Sequence, residues 1–156
     1  MQTEQLSAIK LRGAIQMALL DPQGRILLER KFENLAVTVG RAWILGQLET
    51  VNQATAQTIS YLAIGSVTTA PTTADTALGG EVTRANILTF ITTGLTVSPP
   101  SWQAQVSFAT NVANTTLGEV GLFNSTAGGT MIAHATFTSF VKATSNTLAI
   151  SYTLQD

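Results

Sequence analysis

The sequence contains no cysteine, which excludes disulfide bonds, thiolate nucleophiles and zinc–thiolate sites. It also lacks any uninterrupted run of about 18 apolar residues, so we expect no transmembrane helix and no membrane partner. Residues 1–7 are polar and include Glu4, unlike the basic and then apolar order of a signal peptide. These absences predict a protein that is made in a cytoplasm and folds without covalent cross-links.

Charged side chains are scarce, at 11% of the chain against roughly 25% in average soluble proteins. From residue 85 to the C-terminus the only ones are Glu119, Lys142 and Asp156. Scarce charge is typical of β-rich chains, in which Thr suits half-exposed strands, and also of surfaces that partners cover. A net charge of −1 without a basic cluster argues against nucleic-acid binding, which needs several Lys or Arg side chains per site.

Alternation of apolar and polar residues predicts about eight β-strands. The first two are joined at residues 21–24, Asp-Pro-Gln-Gly, which is a type I turn sequence. Trp43, Leu45 and Leu48 have helical spacing instead, so one short helix is expected at about residues 38–50. A long ordered loop rich in Thr, Ala, Pro and Gly is expected at residues 66–80.

This pattern predicts an all-β fold, a jelly-roll-like two-sheet β-sandwich with one short helix. Residues 9–156 are expected to form a single domain, since a chain of 156 residues with 45% hydrophobic composition suffices for one core. Residues 1–8 are expected to form a flexible N-terminal arm that reaches across a neighbouring subunit.

The single histidine, His134, is the first candidate for proton transfer. Alternation places it opposite the face of Met131, Ala133 and Phe137, so it is expected to point outward or into a subunit contact. No motif supplies the orienting carboxylate and the nucleophile that catalysis would require. We therefore predict no catalytic, cofactor-binding or metal-binding residue.

The remaining acidic residues show no metal-ligand spacing. Asp75 and Glu81 flank the long loop; they are expected to accept backbone N–H groups or to pair with Arg84, and only less plausibly to share an ion. Glu119, isolated in a charge-poor half of the chain, is expected to accept backbone or Arg hydrogen bonds at a subunit contact.

A carbohydrate-binding module is an alternative, because sugar sites combine an exposed aromatic ring with amide or carboxylate groups. Trp102 beside Gln103 and Gln105, or Tyr61, would supply such a ring. Trp102 alternates in phase with apolar residues, however, which favours a core position.

Three segments together resemble small structural proteins of tailed bacteriophages. They are ENLAVTVGR at residues 33–41, YLAIG at 61–65 followed by TTADTALGGEVTR at 72–84, and EVGLFN at 119–124. The resemblance covers most of the chain from about residue 29. The chain is similar to capsid decoration (cement) proteins and to components of tail tips and fibre bases. Proteins of this kind often have a Gly-rich run where this chain has Ser66-Val67.

The resemblance implies a non-enzymatic virion protein. The leading hypothesis is a cement protein, a homotrimer, that is assembled in the host cytoplasm and binds the major capsid protein lattice on the outer capsid surface. The alternative is a tail, baseplate or fibre-attachment component.

Overall fold

The computed structural model describes residues 12–49, 58–87, 89–91 and 101–155, and in these ranges the chain forms nine β-strands and one α-helix. The strands are β1 (Arg12–Leu20), β2 (Ile26–Ala36), β3 (Tyr61–Gly65), β4 (Glu81–Asn86), β5 (Thr89–Ile91), β6 (Ser101–Phe108), β7 (Thr116–Phe123), β8 (Met131–Val141) and β9 (Thr147–Gln155). The helix is α1 (Thr38–Glu49). The expected arm at residues 1–8 lies outside the described residues.

All strand pairs are antiparallel, and their order is β4-β3-β7-β8-β2-β1-β9-β6-β5. Strand β2 links two parts of this order, because it pairs with β1 along most of its length but with β8 only through Leu35 and Ala36. We call β2, β1, β9, β6 and β5 the first half-sheet, and β4, β3, β7 and β8 the second half-sheet.

The main core lies between the inner faces of the two half-sheets. In β1 the apolar residues of the alternating sequence are the buried ones: Ile15, Met17 and Leu19 are buried, and the residues between them are more exposed. The same cluster takes buried side chains from five other strands, including Ile64, Val106, Leu122, Phe137 and Ile150.

The predicted all-β class with one helix is confirmed, and the helix at Thr38–Glu49 falls within the predicted range. The described strands form one continuous order through β2, so the jelly-roll arrangement of the prediction is not confirmed. The predicted turn at residues 21–24 is present: Gly24 N–H donates to the Asp21 carbonyl, and the Asp21 carboxylate accepts from Gln23 N–H and Arg25 N–H.

Helix α1 packs closely on β8. A Cβ atom at Gly40 would overlap the backbone of Ile132, so only glycine permits this approach. The carbonyl of Val37 accepts from Arg41 N–H, and the first helical N–H, that of Thr38, donates to the carbonyl of Thr73 in the long loop. No helix among the described residues has the length and apolar character needed to span a membrane.

The outer faces of the two half-sheets differ. The long loop, residues 66–80, lies over the second half-sheet and forms a smaller apolar cluster there, which consists of Val37, Ala63, Leu78, Phe123 and Met131. On the first half-sheet, no described element packs over the outer face of β1, β9 and β6.

Candidate functional site

His134 lies beneath the long loop, between two carboxylates. It is on β8 opposite Gly121 of β7, and the missing side chain at Gly121 leaves room on this face of the sheet. The ring Nδ1 is 2.8 Å from Asp75 Oδ2, and Nε2 is 3.1 Å from Glu119 Oε2. His134 is 5% exposed, and Glu119 is fully buried.

Glu119 connects β7 to both ends of the long loop. Its Oε1 accepts from Gly80 N–H at 2.7 Å and from Val67 N–H at 3.3 Å, and its Oε2 accepts from Gly79 N–H at 2.9 Å. Three backbone donors and the His134 ring therefore surround one carboxylate. Hydrogen bonds to a charged acceptor are stronger than neutral ones, so this side chain is the main polar attachment of the loop ends.

Asp75 attaches the middle of the same loop. Its carboxylate accepts from the Thr72 hydroxyl at 2.6 Å, from Thr72 N–H at 2.9 Å and from the His134 ring. The two hydrogen bonds from Thr72, the hydroxyl bond first, and the bond from His134 lower the pKa of Asp75 from 3.8 to about 2.

The two carboxylates limit the hydrogen bonds that the His134 ring can form. Each of the four carboxylate oxygens of Asp75 and Glu119 accepts from a backbone N–H or from the Thr72 hydroxyl. An ionised carboxylate can only accept hydrogen bonds, and the pKa of about 2 keeps Asp75 in that form. Because both ring nitrogens of His134 face carboxylate oxygens, only an imidazolium has an N–H to donate to each of them.

This arrangement is suited to attachment and not to proton transfer. A general base needs a ring nitrogen that faces the proton to be removed, whereas both nitrogens of His134 are bound to carboxylates. The Thr72 hydroxyl, which would be the nearby nucleophile, donates to Asp75 and not to the His134 ring. Among the described residues, no group of three or more His, Asp or Glu side chains is placed to hold a metal ion.

The expectation that His134 points outward or into a subunit contact is wrong. Alternation correctly placed it opposite Ala133 and Phe137 of the main core, but the long loop of the same chain covers its face. Met131, which was grouped with those two residues, lies instead in the smaller cluster beneath the loop, next to a register shift between β7 and β8. Glu119 was expected to accept backbone or Arg hydrogen bonds at a subunit contact; backbone N–H groups are confirmed as its partners, and they come from the same chain. Asp75 likewise accepts a backbone N–H, as predicted.

Arg84 forms a second attachment, at the edge of the second half-sheet. Its guanidinium pairs with both oxygens of Glu81 at 2.6 and 2.9 Å, as the sequence predicted. It also donates to the carbonyls of Ser125 and Gly128 at 2.9 and 2.8 Å, and lies 3.6 Å from the centre of the Phe123 ring. The guanidinium therefore connects β4 to the turn between β7 and β8.

Lys142 is a buried cation at the end of β8, 1% exposed. Its Nζ donates to the carbonyl of Ala109 and to Asn114 Oδ1, both at 2.8 Å. Burial lowers the pKa of Lys142. These bonds hold the loop between β6 and β7 against β8, which is a role that sequence inspection did not find.

The uncovered outer face of the first half-sheet carries a shallow trough of about 560 Å³. Small side chains of the central strand β9, Ala149 and Ser151, form its floor, and longer Gln16 and Gln105 of the flanking strands line its sides. The complete lining is Gln16, Ala18, Thr89, Gln103, Gln105, Val106, Ser107, Ala149, Ile150 and Ser151, none of which is ionisable. Periodicity alone could have identified this trough, because its lining positions on β1, β6 and β9 are uncharged. The neighbouring strand β2 carries Glu29, Lys31 and Glu33 on the same face.

The aromatic rings considered for sugar binding are not presented as open platforms. Trp102 is half-buried and packs against the main core, as its phase predicted. Tyr61 is half-buried against the smaller cluster beneath the long loop. Neither ring lines the trough.

No family model, no curated protein and no solved structure matches this chain.

Proposed function

We propose that this protein is a non-enzymatic structural component of a tailed-bacteriophage particle, a decoration protein that binds the major capsid protein lattice on the outer capsid surface. The observation that carries the proposal is the uncharged trough on the outer face of the first half-sheet. Depletion of charge is typical of the buried centres of protein–protein interfaces, whereas a face exposed only to water carries charged side chains at many outward positions.

The shape of the trough supports a protein partner. Ala149 and Ser151 on its floor allow another backbone to approach closely, and the amide of Gln105 provides hydrogen bonds at its side. The amide N–H groups of Gln16 and Gln103 already donate within the chain, so these two side chains offer their amide oxygens. Such a surface can fit the shape of a partner protein without requiring charges on the partner, and this suits a contact that is repeated over a lattice.

A homotrimer would strengthen this attachment. Once one subunit of a trimer is bound, the others act at a high effective concentration, so weak individual contacts add up to stable binding. Binding to the assembled lattice, and not to its dispersed subunits, stabilises the particle by mass action. The imidazole of His134, occupied by carboxylates on both sides, is consistent with a protein that acts by binding.

The first test is the molar ratio of this chain to the major capsid protein in purified particles, measured by quantitative mass spectrometry. A ratio near one supports a lattice-wide decoration protein. A ratio of a few per hundred contradicts it and favours the alternative, a tail, baseplate or fibre-attachment component.

The surface is tested separately with Ala149→Lys, which places a charge on the floor of the trough. We expect this variant to fold, by circular dichroism, and to lose binding to particles that lack the protein. The matched control is Ser139→Lys at an exposed position of β8. Equal binding by both variants would show that the trough is not the contact surface.

A further inference from the structure

The attachment of the long loop depends on a proton. We propose that residues 66–80 form a pH-sensitive strap, which is held over the second half-sheet by doubly protonated His134 and released when His134 loses one proton. This inference uses only the geometry of the Asp75–His134–Glu119 network, and it stands whether or not the protein belongs to a phage particle.

The physical basis is the number of donors on the ring. An imidazolium has two N–H groups, one for Asp75 and one for Glu119, whereas a neutral imidazole has one. After deprotonation, one ring nitrogen presents a lone pair to a carboxylate oxygen, at 2.8 or 3.1 Å. That contact is repulsive, and at Glu119, which is fully buried, it is not screened by water. The least costly response is for the loop to move away and admit water.

Asp75 and Glu119 are the ionisable groups in the described chain that bond to the His134 ring. The long loop contributes Asp75, and β7 contributes Glu119. Strand β2 places Leu35 opposite His134. Helix α1, which packs on β8, carries Arg41 at an exposed position, and Arg84 of β4 is paired with Glu81.

The direction of the pH effect follows from these groups. The strap is held at pH values where His134 is protonated, and it is weakened as the pH rises through the titration of that side chain. At the acid end, Asp75 remains ionised down to its pKa of about 2, so its contact with the His134 ring persists into acid.

Release of the strap would uncover an apolar surface. Leu78 of the loop is buried over Gly121, where a Cβ atom would lie 3.0 Å from the Leu78 side chain. Beneath the loop, Phe123 and Met131 are also buried. A change of one proton on His134 therefore controls access to the smaller apolar cluster.

The experiment is amide hydrogen exchange across a pH series, corrected for intrinsic exchange rates, together with an NMR titration of the His134 ring. We expect protection of the Thr72, Gly79 and Gly80 amides to fall about ten- to hundredfold as His134 deprotonates, the loss of one charged hydrogen bond. Amides of β9 should keep their protection. Unchanged protection of the loop through the His134 titration would overturn the proposal.

Glu119→Gln is the decisive variant, because its amide N–H can donate to a neutral ring nitrogen, so the second proton is no longer required. The same amide nitrogen cannot accept from Gly79 N–H, so protection of the Gly79 amide should be lower than in the wild type at every pH. We expect its loop protection to be independent of pH. Glu81→Gln, a carboxylate close to the loop but bound to Arg84, is the matched control and should keep the wild-type pH dependence.

His134→Gln gives an independent check. We expect its loop amides to be less protected than those of the wild type at every pH, and we expect their protection to stay constant over the pH range in which the wild-type loop loses protection. A wild-type pH dependence in either Glu119→Gln or His134→Gln would show that another group controls the loop.

Discussion

Glu119→Ala is the change that most directly tests how the fold is held together. The fully buried carboxylate accepts from three backbone N–H groups, those of Val67, Gly79 and Gly80, and from the ring of His134. Truncation to alanine leaves these donors without an acceptor and leaves the buried His134 ring with one carboxylate in place of two.

The magnitude can be estimated from these contacts. A buried donor that loses its acceptor costs about 1–3 kcal/mol, and breaking a buried ion pair by removal of one partner costs about 3–5 kcal/mol. Simple addition overestimates the effect, because the loop can open and expose the donors to water. We therefore expect the free energy of unfolding to fall by about 3–5 kcal/mol, a large part of the about 5–15 kcal/mol typical of a domain.

The measurement is urea-induced unfolding followed by circular dichroism, with the m-value fitted separately. A smaller m-value in Glu119→Ala is expected, because a native state with an open loop exposes less additional surface on unfolding. Glu29→Ala is the control, since Glu29 is exposed on β2 and its loss should change stability by no more than about 0.5 kcal/mol. A loss below about 1 kcal/mol in Glu119→Ala, with an unchanged m-value, would refute the assigned role of this carboxylate.

Three further substitutions test other parts of the structure. Gly121→Ala places a Cβ atom 3.0 Å from the Leu78 side chain, and this overpacking should lower stability by about 1–3 kcal/mol in urea unfolding. Arg84→Lys removes the two-pronged pairing with Glu81, and we expect a lower melting temperature, with a loss of about 1–2 kcal/mol. Because burial lowers the pKa of Lys142 in the folded state, wild-type stability should rise relative to Lys142→Met as the pH increases from the lowered value towards 10.5; parallel stability curves for the two proteins would contradict this.

Much of the fold could be predicted from local sequence patterns. Period-two alternation identified β1, β6 and β9, because each of these strands buries one face and the sequence repeats with the pleat. Strand β8 was also identified, although both of its faces are buried over residues 131–135. Helical spacing of apolar residues identified α1 to within a residue or two. Strand order could not be predicted, since alternation shows which residues share a face and does not show which strand is the neighbour.

The site shows the same limit at the level of single side chains. The sequence predicted hydrogen bonding by Asp75 and Glu119, because an isolated carboxylate in an apolar region needs donors. It did not predict that both would meet His134, which is 59 residues from Asp75 and 15 from Glu119 along the chain. The correct face of His134 was known from alternation, but the loop that covers it was not.

The sequence by itself therefore determined the class of fold, the absence of cysteine chemistry and the scarcity of charge, since these depend on composition and on short-range periodicity. Only the tertiary structure decided that residues 66–80 fold back over the second half-sheet and that none of the described elements covers the uncharged trough of the first half-sheet. The physical reason is that burial of a polar group depends on contacts between distant segments, and the free energy of those contacts is not encoded in any local pattern.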